Sequence, residues 1–265
     1  MDTSFRIHPD VHVLAHHAPV PGRGLLPIQA FLLKGRQPVL IDTGAARFKD
    51  DFLKNLESLI DPMDLAWIVL THPDADHAGA LGELLERAPN ARLVVNWIST
   101  GKLTAEMAPP MARLTWVNPG ESLAAGDRIL HFLSAPRYDC PSTVSVFDSK
   151  SRALFTSDAF GAFVTAPAQR FSDLPEAATL EAMSQFCRAN SPWLADTRPD
   201  RYVAALKKHA DLEPSWLLSA HLPPVEAADV PLLISRAVSF PLEGRVAMPT
   251  QQALDAALAS AGRAA

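Results

Sequence analysis

Apolar positions in this chain fall into two rhythms. Short apolar runs occur at residues 11–15, 29–33, 38–44, 67–70, 92–96, 114–117, 128–133, 143–147, 153–156 and 215–220, and many stop at Gly, Pro, Asn or Asp. Runs of this length with such boundaries predict strands, several of them buried on both faces. Elsewhere, apolar residues three and four apart predict amphipathic helices. Phe48, Phe52, Leu56 and Leu59 form one such stripe, which reads as packing, and Leu81, Leu84 and Leu85 form another. Further helical patterns cover residues 99–107, 174–188, 199–210, 225–238 and 251–260. Residues 16–24 read as a loop between the first two strands, with His16 and His17 an ordinary solvated pair on it. Residues 148–151 suit a hairpin connection. Strands and helices in both halves of the chain predict an α+β fold: two packed sheets flanked by helices, with the functional site along one rim.

Composition narrows the possibilities. With 265 residues, 48% of them hydrophobic, the chain can bury one substantial core or two fused half-domains. A net charge of -5 without a basic block argues against a nucleic-acid partner. Two cysteines, Cys140 and Cys187, do not predict a disulfide scaffold and are compatible with a reducing cytoplasm. The first residues lack a basic segment followed by an apolar one, so no signal peptide is expected. No apolar run approaches about 18 residues, so no membrane span is expected either.

The chemistry concentrates in Thr71-His72-Pro73-Asp74-Ala75-Asp76-His77-Ala78-Gly79, between a strand end and a helix start. Two His and two Asp within six positions exceed what a polar helix-capping turn needs. Their mixture of imidazole and carboxylate suits iron, manganese or zinc rather than a soft cation. Other candidates are scattered. His131 lies isolated inside a strand and reads as structural or surface-exposed, whereas Asp139, Asp158 and His221 each follow a strand.

The 71–79 stretch resembles the metal motif of the metallo-beta-lactamase superfamily, whose usual hydrolase form is His-x-His-x-Asp-His. The acidic Asp74 at the second His position is closer to the diiron domain of the flavodiiron proteins and their stand-alone oxygen-binding relatives, which normally carry His-x-Glu-x-Asp-His. The similarity extends to Ile41-Asp42-Thr43-Gly44, where Asp42 is expected to support the site by hydrogen bonding, and to residues 154–161, which resemble the segment carrying the family's bridging Asp. It covers about residues 31–224 and implies the metallo-beta-lactamase αββα sandwich, with a diiron-like domain at 1–224 and a C-terminal helical extension at 225–265.

By this resemblance, His72, Asp74 and Asp139 hold one metal, Asp76, His77 and His221 the other, and Asp158 bridges both. Asp76 and Tyr138 are the candidate catalytic residues, with Tyr138 and Phe160 limiting solvent near the site. Three departures stand out: Asp74 is a methylene shorter than the usual Glu, Asp139 replaces a His, and Leu222 replaces the Gly after the last His. The implied function is a non-haem diiron protein that binds dioxygen as sensor, carrier or partner-dependent oxidoreductase. Two iron ions are the expected cofactor, with zinc or manganese as alternatives. The chain is too short for the flavodoxin domain of full flavodiiron proteins and shows no Gly-rich phosphate cradle, so no FMN is expected and electrons come from a separate donor protein. A cytoplasmic homodimer acting on dioxygen or another small molecule is the expected setting. The alternatives are a metal-dependent hydrolase of a small ester, lactone or phosphoester, in which Asp76 orients a metal-bound water, and a binding protein with a structural metal site.

Overall fold

The computed structural model describes residues 3–261. Seven strands form one sheet in chain order: β1 (Thr3–His8), β2 (Val11–Val20), β3 (Gly24–Leu33), β4 (Val39–Ile41), β5 (Trp67–Val69), β6 (Arg92–Val95) and β7 (Leu114–Trp116). Pairing is antiparallel through β4 and parallel from there to β7. The other sheet contains β8 (Ser122–Ala125), β9 (Arg128–Ser134), β10 (Val144–Asp148), β11 (Ala153–Phe155), β12 (Trp216–Leu218) and β13 (Val225–Glu226), in the order β13-β12-β11-β10-β9-β8. In it β11 and β12 run parallel, and the other neighbours antiparallel.

Helices α1 (Lys49–Leu59), α2 (Leu81–Arg87) and α3 (Trp97–Leu103) belong with the first sheet. Helices α4 (Glu176–Asn190), α5 (Pro199–Ala210) and α6 (Val230–Val238) cover the second, and α7 (Gln251–Ala261) follows. Successive strand residues face opposite ways, and the apolar runs follow from that. Phe31, Ile41 and Val69 pack between the sheets against Phe132, Val146, Phe155 and Leu218. Leu32, Leu40 and Ile68 face the other way, onto Phe52 and Leu56 of α1 and Leu81 and Leu84 of α2. A strand buried on both faces has no polar alternation, which is why β4 and β5 read as continuous apolar runs. Leu217 meets Met183, Phe186, Tyr202, Leu206 and Leu233 in the second helical layer.

Several expectations are corrected. Residues 16–24 are not a loop: β2 and β3 pair without interruption from Val11↔Leu33 to Val20↔Gly24, leaving only a tight turn between them. The prolines misled because Pro19 and Pro27 are tolerated inside this hairpin, opposite Leu25 and His17. His16 is not solvated either; it is buried and stacked on Phe48 at 5.1 Å between ring centroids, while His17 is half-buried. Strand β1 carries too many polar residues to announce itself, and β8 is a four-residue stretch whose one large apolar residue is Leu123. The helical pattern at 225–238 opens as β13, which pairs with β12, so residues beyond 224 contribute to the second sheet.

Glu243, just beyond α6, accepts hydrogen bonds from Arg236, from Ser184 Oγ on α4 at 2.7 Å and from Ser239 Oγ. The Arg236 guanidinium, against partial burial, holds its carboxyl down at about 2 from an ordinary 4.5. A depressed carboxyl pKa stabilises the fold above the unfolded-state value, and that stability is lost as pH falls through the folded-state value. Wild-type stability in urea should therefore decline between about pH 4.5 and pH 2, and Glu243→Gln should flatten that part of the profile. An unchanged slope in the variant would show the pair to be energetically silent.

Candidate metal centre

The strand order places the candidate residues at one rim. Loops after β5, β9, β11 and β12 all leave the sandwich at the same end, carrying His72 to His77, Asp139, Asp158 and His221 respectively. Asp42, on the turn after β4, organises the first of these loops. Its Oδ1 accepts from Thr71 N at 2.8 Å, and its Oδ2 accepts from Thr71 Oγ1 and His77 Nδ1–H, both at 2.8 Å. Thr43 N and Oγ1 both donate to the His77 carbonyl, at 2.6 and 3.0 Å. Asp42 adopts φ +59, a left-handed conformation that Asp tolerates better than most residues. Gly79 closes the loop against the same turn: a Cβ there would lie 2.0 Å from Ala46 N, so only glycine fits.

Hydrogen bonds assign the proton on each imidazole. Asp42 only accepts, so His77 carries its proton on Nδ1; His221 Nδ1 likewise donates to the Pro27 carbonyl at 2.7 Å. Thr71 spends its single hydroxyl proton on Asp42, so the Ser157 hydroxyl, 2.9 Å away, donates to Thr71 Oγ1. Ser157 Oγ is then left to accept from His72 Nδ1 at 3.0 Å. Each ring is thus held at Nδ1 and turns Nε2 toward Asp158, the arrangement found for metal-ligating histidines. Asp158 Oδ1 lies 3.8 Å from His72 Nε2, 3.0 Å from His77 Nε2 and 3.4 Å from His221 Nε2.

The remaining carboxylates flank this centre. His72 Nε2 is 3.7 Å from Asp74 and 3.9 Å from Asp139. Asp76 lies 3.9 Å from His77 Nε2 and 3.5 Å from His221 Nε2. Among the described residues, potential ligand atoms fall into three groups, each within 4.8 Å: His72, Asp74 and Asp139; Asp76, His77 and His221; and His72, His77 and Asp158. The first two groups have the same membership as the two sets inferred from the resemblance.

These residues fit a pair of cations. Asp158 Oδ1 and His77 Nε2 are buried and neither makes a hydrogen bond, despite their 3.0 Å separation. Buried polar atoms without partners are costly, and a metal would satisfy both. Four carboxylates would balance the charge of two divalent ions. In the protein alone, burial first and then neighbouring His77 push the His72 pKa down. Burial also opposes charge on His77 and His221, but Asp42 and Asp158 outweigh it at His77, and Asp158 does so at His221, so both are raised. Burial would raise Asp158, but His221 and His77 hold it well below the usual carboxylate range. Asp74 and Asp76, 38% and 35% exposed, mark the open side. There Lys102 Nζ sits 3.3 Å from Asp74 Oδ1 and 3.0 Å from Cys140 Sγ.

Tyr138 does not join the cluster through its ring, which is 40% exposed and packs on Trp193 at 4.8 Å. Phe160 is buried in the second helical layer. His131 stays in β9, bonded to Ser122 Oγ at 2.8 Å and away from the cluster. Residues missed in the sequence are the supports: Ser157, Arg137 and Asn190. Asn190 and Arg137 carry no motif, and the helix end bearing Asn190 lies 51 residues from Asp139.

The chain is similar to known proteins in sequence and in fold. The family profile described as ODP family beta lactamase matches residues 27–212. Among curated proteins, the chain is 34% identical over 134 residues to putative diflavin flavoprotein A 1 of Thermosynechococcus vestitus, covering 50% of this chain and 23% of that protein. It is 30% identical over 148 residues to a nitric oxide reductase of Moorella thermoacetica, covering 56% and 37%. The matched region therefore spans well under half of these relatives. Among solved structures, rubredoxin oxygen:oxidoreductase from Desulfovibrio gigas superposes with a TM-score of 0.80 at 20% identity, covering 91% of this chain and 62% of that one. A 1–254 fragment of putative diflavin flavoprotein A 5 from Nostoc sp. PCC 7120 gives 0.76 at 20% identity, covering 91% and 96%. Among the described residues, no helix is long and apolar enough to cross a membrane. With the profile covering most of its length, the chain belongs to the ODP beta-lactamase family and has the metallo-beta-lactamase fold of the flavodiiron proteins, two mixed sheets flanked by helices.

Proposed function

We propose that the chain is a diiron oxidoreductase domain that takes dioxygen or nitric oxide as its small-molecule oxidant and receives electrons from a separate redox protein. The observation that carries this is the buried Asp158 Oδ1, without a hydrogen bond, faced by three imidazole Nε2 atoms whose rings are each held at Nδ1. His72, Asp74 and Asp139 would hold one iron, Asp76, His77 and His221 the other, and Asp158 both. Iron would supply redox electrons and open coordination positions at the rim. The names of the relatives, a nitric oxide reductase and a rubredoxin oxygen:oxidoreductase, support this choice of oxidants.

The chain's own residues divide the remaining work. Asp42, Ser157 and the Pro27 carbonyl hold the imidazole rings in one tautomer. Asp74 and Asp76 line the accessible side, where a small molecule enters, and Lys102 Nζ offers N–H donors beside Asp74. The shell behind the cluster, including Phe160 and Phe186, excludes water. A cytoplasmic homodimer without its own FMN belongs to the same proposal.

Anaerobic loading with ferrous iron, followed by dioxygen or nitric oxide, tests it. Two irons per chain, uptake of the gas in proportion to iron, and a new charge-transfer absorption are expected. A colourless chain that keeps only zinc and hydrolyses esters or phosphoesters faster than free metal would instead support a hydrolase.

A further inference from the structure

We propose that Asn190, the last residue of α4, is a positioning residue that ties back one oxygen of Asp139 and one of Asp158, so that each carboxylate offers its other oxygen to the metal pair. This rests on the metal assignment above and adds to it a fixed, one-oxygen mode of binding for these two carboxylates.

The geometry is specific. Asn190 Nδ2 donates to Asp139 Oδ2 at 2.8 Å and to Asp158 Oδ2 at 3.1 Å. An amide nitrogen has two N–H bonds, and both are used here. The carboxylates only accept, so the amide must present its nitrogen rather than its oxygen to them. The oxygens left over face the imidazoles: Asp139 Oδ1 lies 3.9 Å from His72 Nε2, and Asp158 Oδ1 lies within 3.0–3.8 Å of all three Nε2 atoms. Within both carboxylates, then, the oxygen bonded to Asn190 is not the one aimed at the cluster.

The helix end that carries Asn190 is itself fixed to the loop that carries Asp139. Ser191 Oγ and Trp193 Nε1 both donate to the Tyr138 carbonyl, at 2.8 and 2.7 Å. Buried Arg137 donates from Nη1 to Ser191 Oγ at 3.1 Å and from Nη2 to the Asp158 carbonyl at 2.8 Å. The same Nη2 lies 3.7 Å from Asp158 Oδ2. A helix C-terminus carries partial negative charge and disfavours nearby carboxylates. Two of them are held there because the Asn190 amide donates to Oδ2 of both and the Arg137 guanidinium lies beside Oδ2 of Asp158. Asp139 places an extra negative charge beside Asp158, and Asn190 hydrogen-bonds both.

The test compares wild type with Asn190→Ala and the isosteric Asn190→Asp. Metal affinities are measured by chelator competition, apo stability by thermal melting, and carboxylate binding by infrared difference spectra on 13C-aspartate-labelled protein. Loss of a group that orients a ligand typically weakens metal binding about 10–100-fold. That loss is expected to be greatest at the metal held by Asp139, through both carboxylates, and smaller at the other metal, through Asp158 alone, and to be larger for Asn190→Asp than for Asn190→Ala. Wild type should show the wide spacing of carboxylate stretches typical of one-oxygen ligation, and Asn190→Ala a narrower one as the freed oxygens also coordinate. Variants that lower only the apo melting temperature, with both affinities and the infrared spacing unmoved, would overturn the proposal and leave Asn190 a helix anchor. A wild type that binds fewer than two metals overturns the metal assignment itself, and the role of Asn190 with it; two metals in wild type with indifferent variants overturn the role of Asn190 alone.

Discussion

Asp158→Asn is expected to lose both metals in one step, the largest functional effect of any single substitution in this chain. Its Oδ1 lies within 3.0–3.8 Å of all three imidazole Nε2 atoms. Two cations held about 3.5–4 Å apart repel each other and need a shared anion between them. The amide of Asn keeps the volume and can still accept through its oxygen, but it removes the negative charge and leaves a partial positive NH2 group in the centre. Metal analysis after anaerobic loading and gel filtration should find less than one metal per chain. Asp139→Ala touches only the group formed with His72 and Asp74, so it should lower one occupancy more than the other. His131→Ala should change neither, because His131 is bonded to Ser122 on the outer strands. Retention of both metals by Asp158→Asn, or loss of one by His131→Ala, would refute the assignment.

Asp148→Ala is expected to cost about 3 kcal/mol of stability, the low end of the ~3–5 kcal/mol penalty for breaking a buried ion pair, because Arg128 keeps Asp10 as a second carboxylate partner. Arg128 and Asp148 are both 0% exposed and meet at 3.0 Å between Nη1 and Oδ2. The same carboxylate accepts from Ser151 N at 3.1 Å and Lys150 N at 3.2 Å, so it also shapes the turn after β10. Arg128 Nη2 reaches the first sheet through the Lys34 carbonyl at 2.5 Å and Asp10 at 3.3 Å, so the pair joins the two sheets. Removing Asp148 takes the buried acceptor from Arg128 Nη1, leaves Asp10 and the Lys34 carbonyl on Nη2, and frees the turn after β10. Urea unfolding should show a much lower midpoint. The pair lies at the start of β9 and the end of β10, opposite the rim that carries the candidate ligands, so the folded fraction should still bind two metals. Sites this far apart act nearly independently, and a variant that kept its stability but lost metal would contradict this placement.

The fold was legible where burial is two-sided or strictly periodic. Val39–Ile41 and Trp67–Val69 are strands because every residue needs an apolar neighbour, and Phe52 and Leu56 mark the inner face of α1. Element ends were less legible. The β2–β3 hairpin hides behind His16, His17 and three prolines because its backbone pairing tolerates them, and His16 is buried by stacking on Phe48, which no spacing rule anticipates. Within the candidate site, the cluster around His72 to His77 could be read locally, and Asp42, Asp158 and His221 through the resemblance. The supports could not. Ser157, Asn190 and the Pro27 carbonyl act through hydrogen bonds spanning 85, 32 and 194 positions, set by how the loops and the end of α4 meet at the rim rather than by neighbouring sequence. Tyr138, expected to limit solvent near the site, places its half-exposed ring on Trp193, a contact that no spacing in the sequence announces.

Anomalous diffraction at the iron edge, from crystals of the anaerobically iron-loaded wild type, tests whether two irons share Asp158. Two peaks of comparable height are expected, one among His72, Asp74 and Asp139, the other among Asp76, His77 and His221, with Asp158 bound to both. A single peak, or two peaks of which only one contacts Asp158, would contradict it.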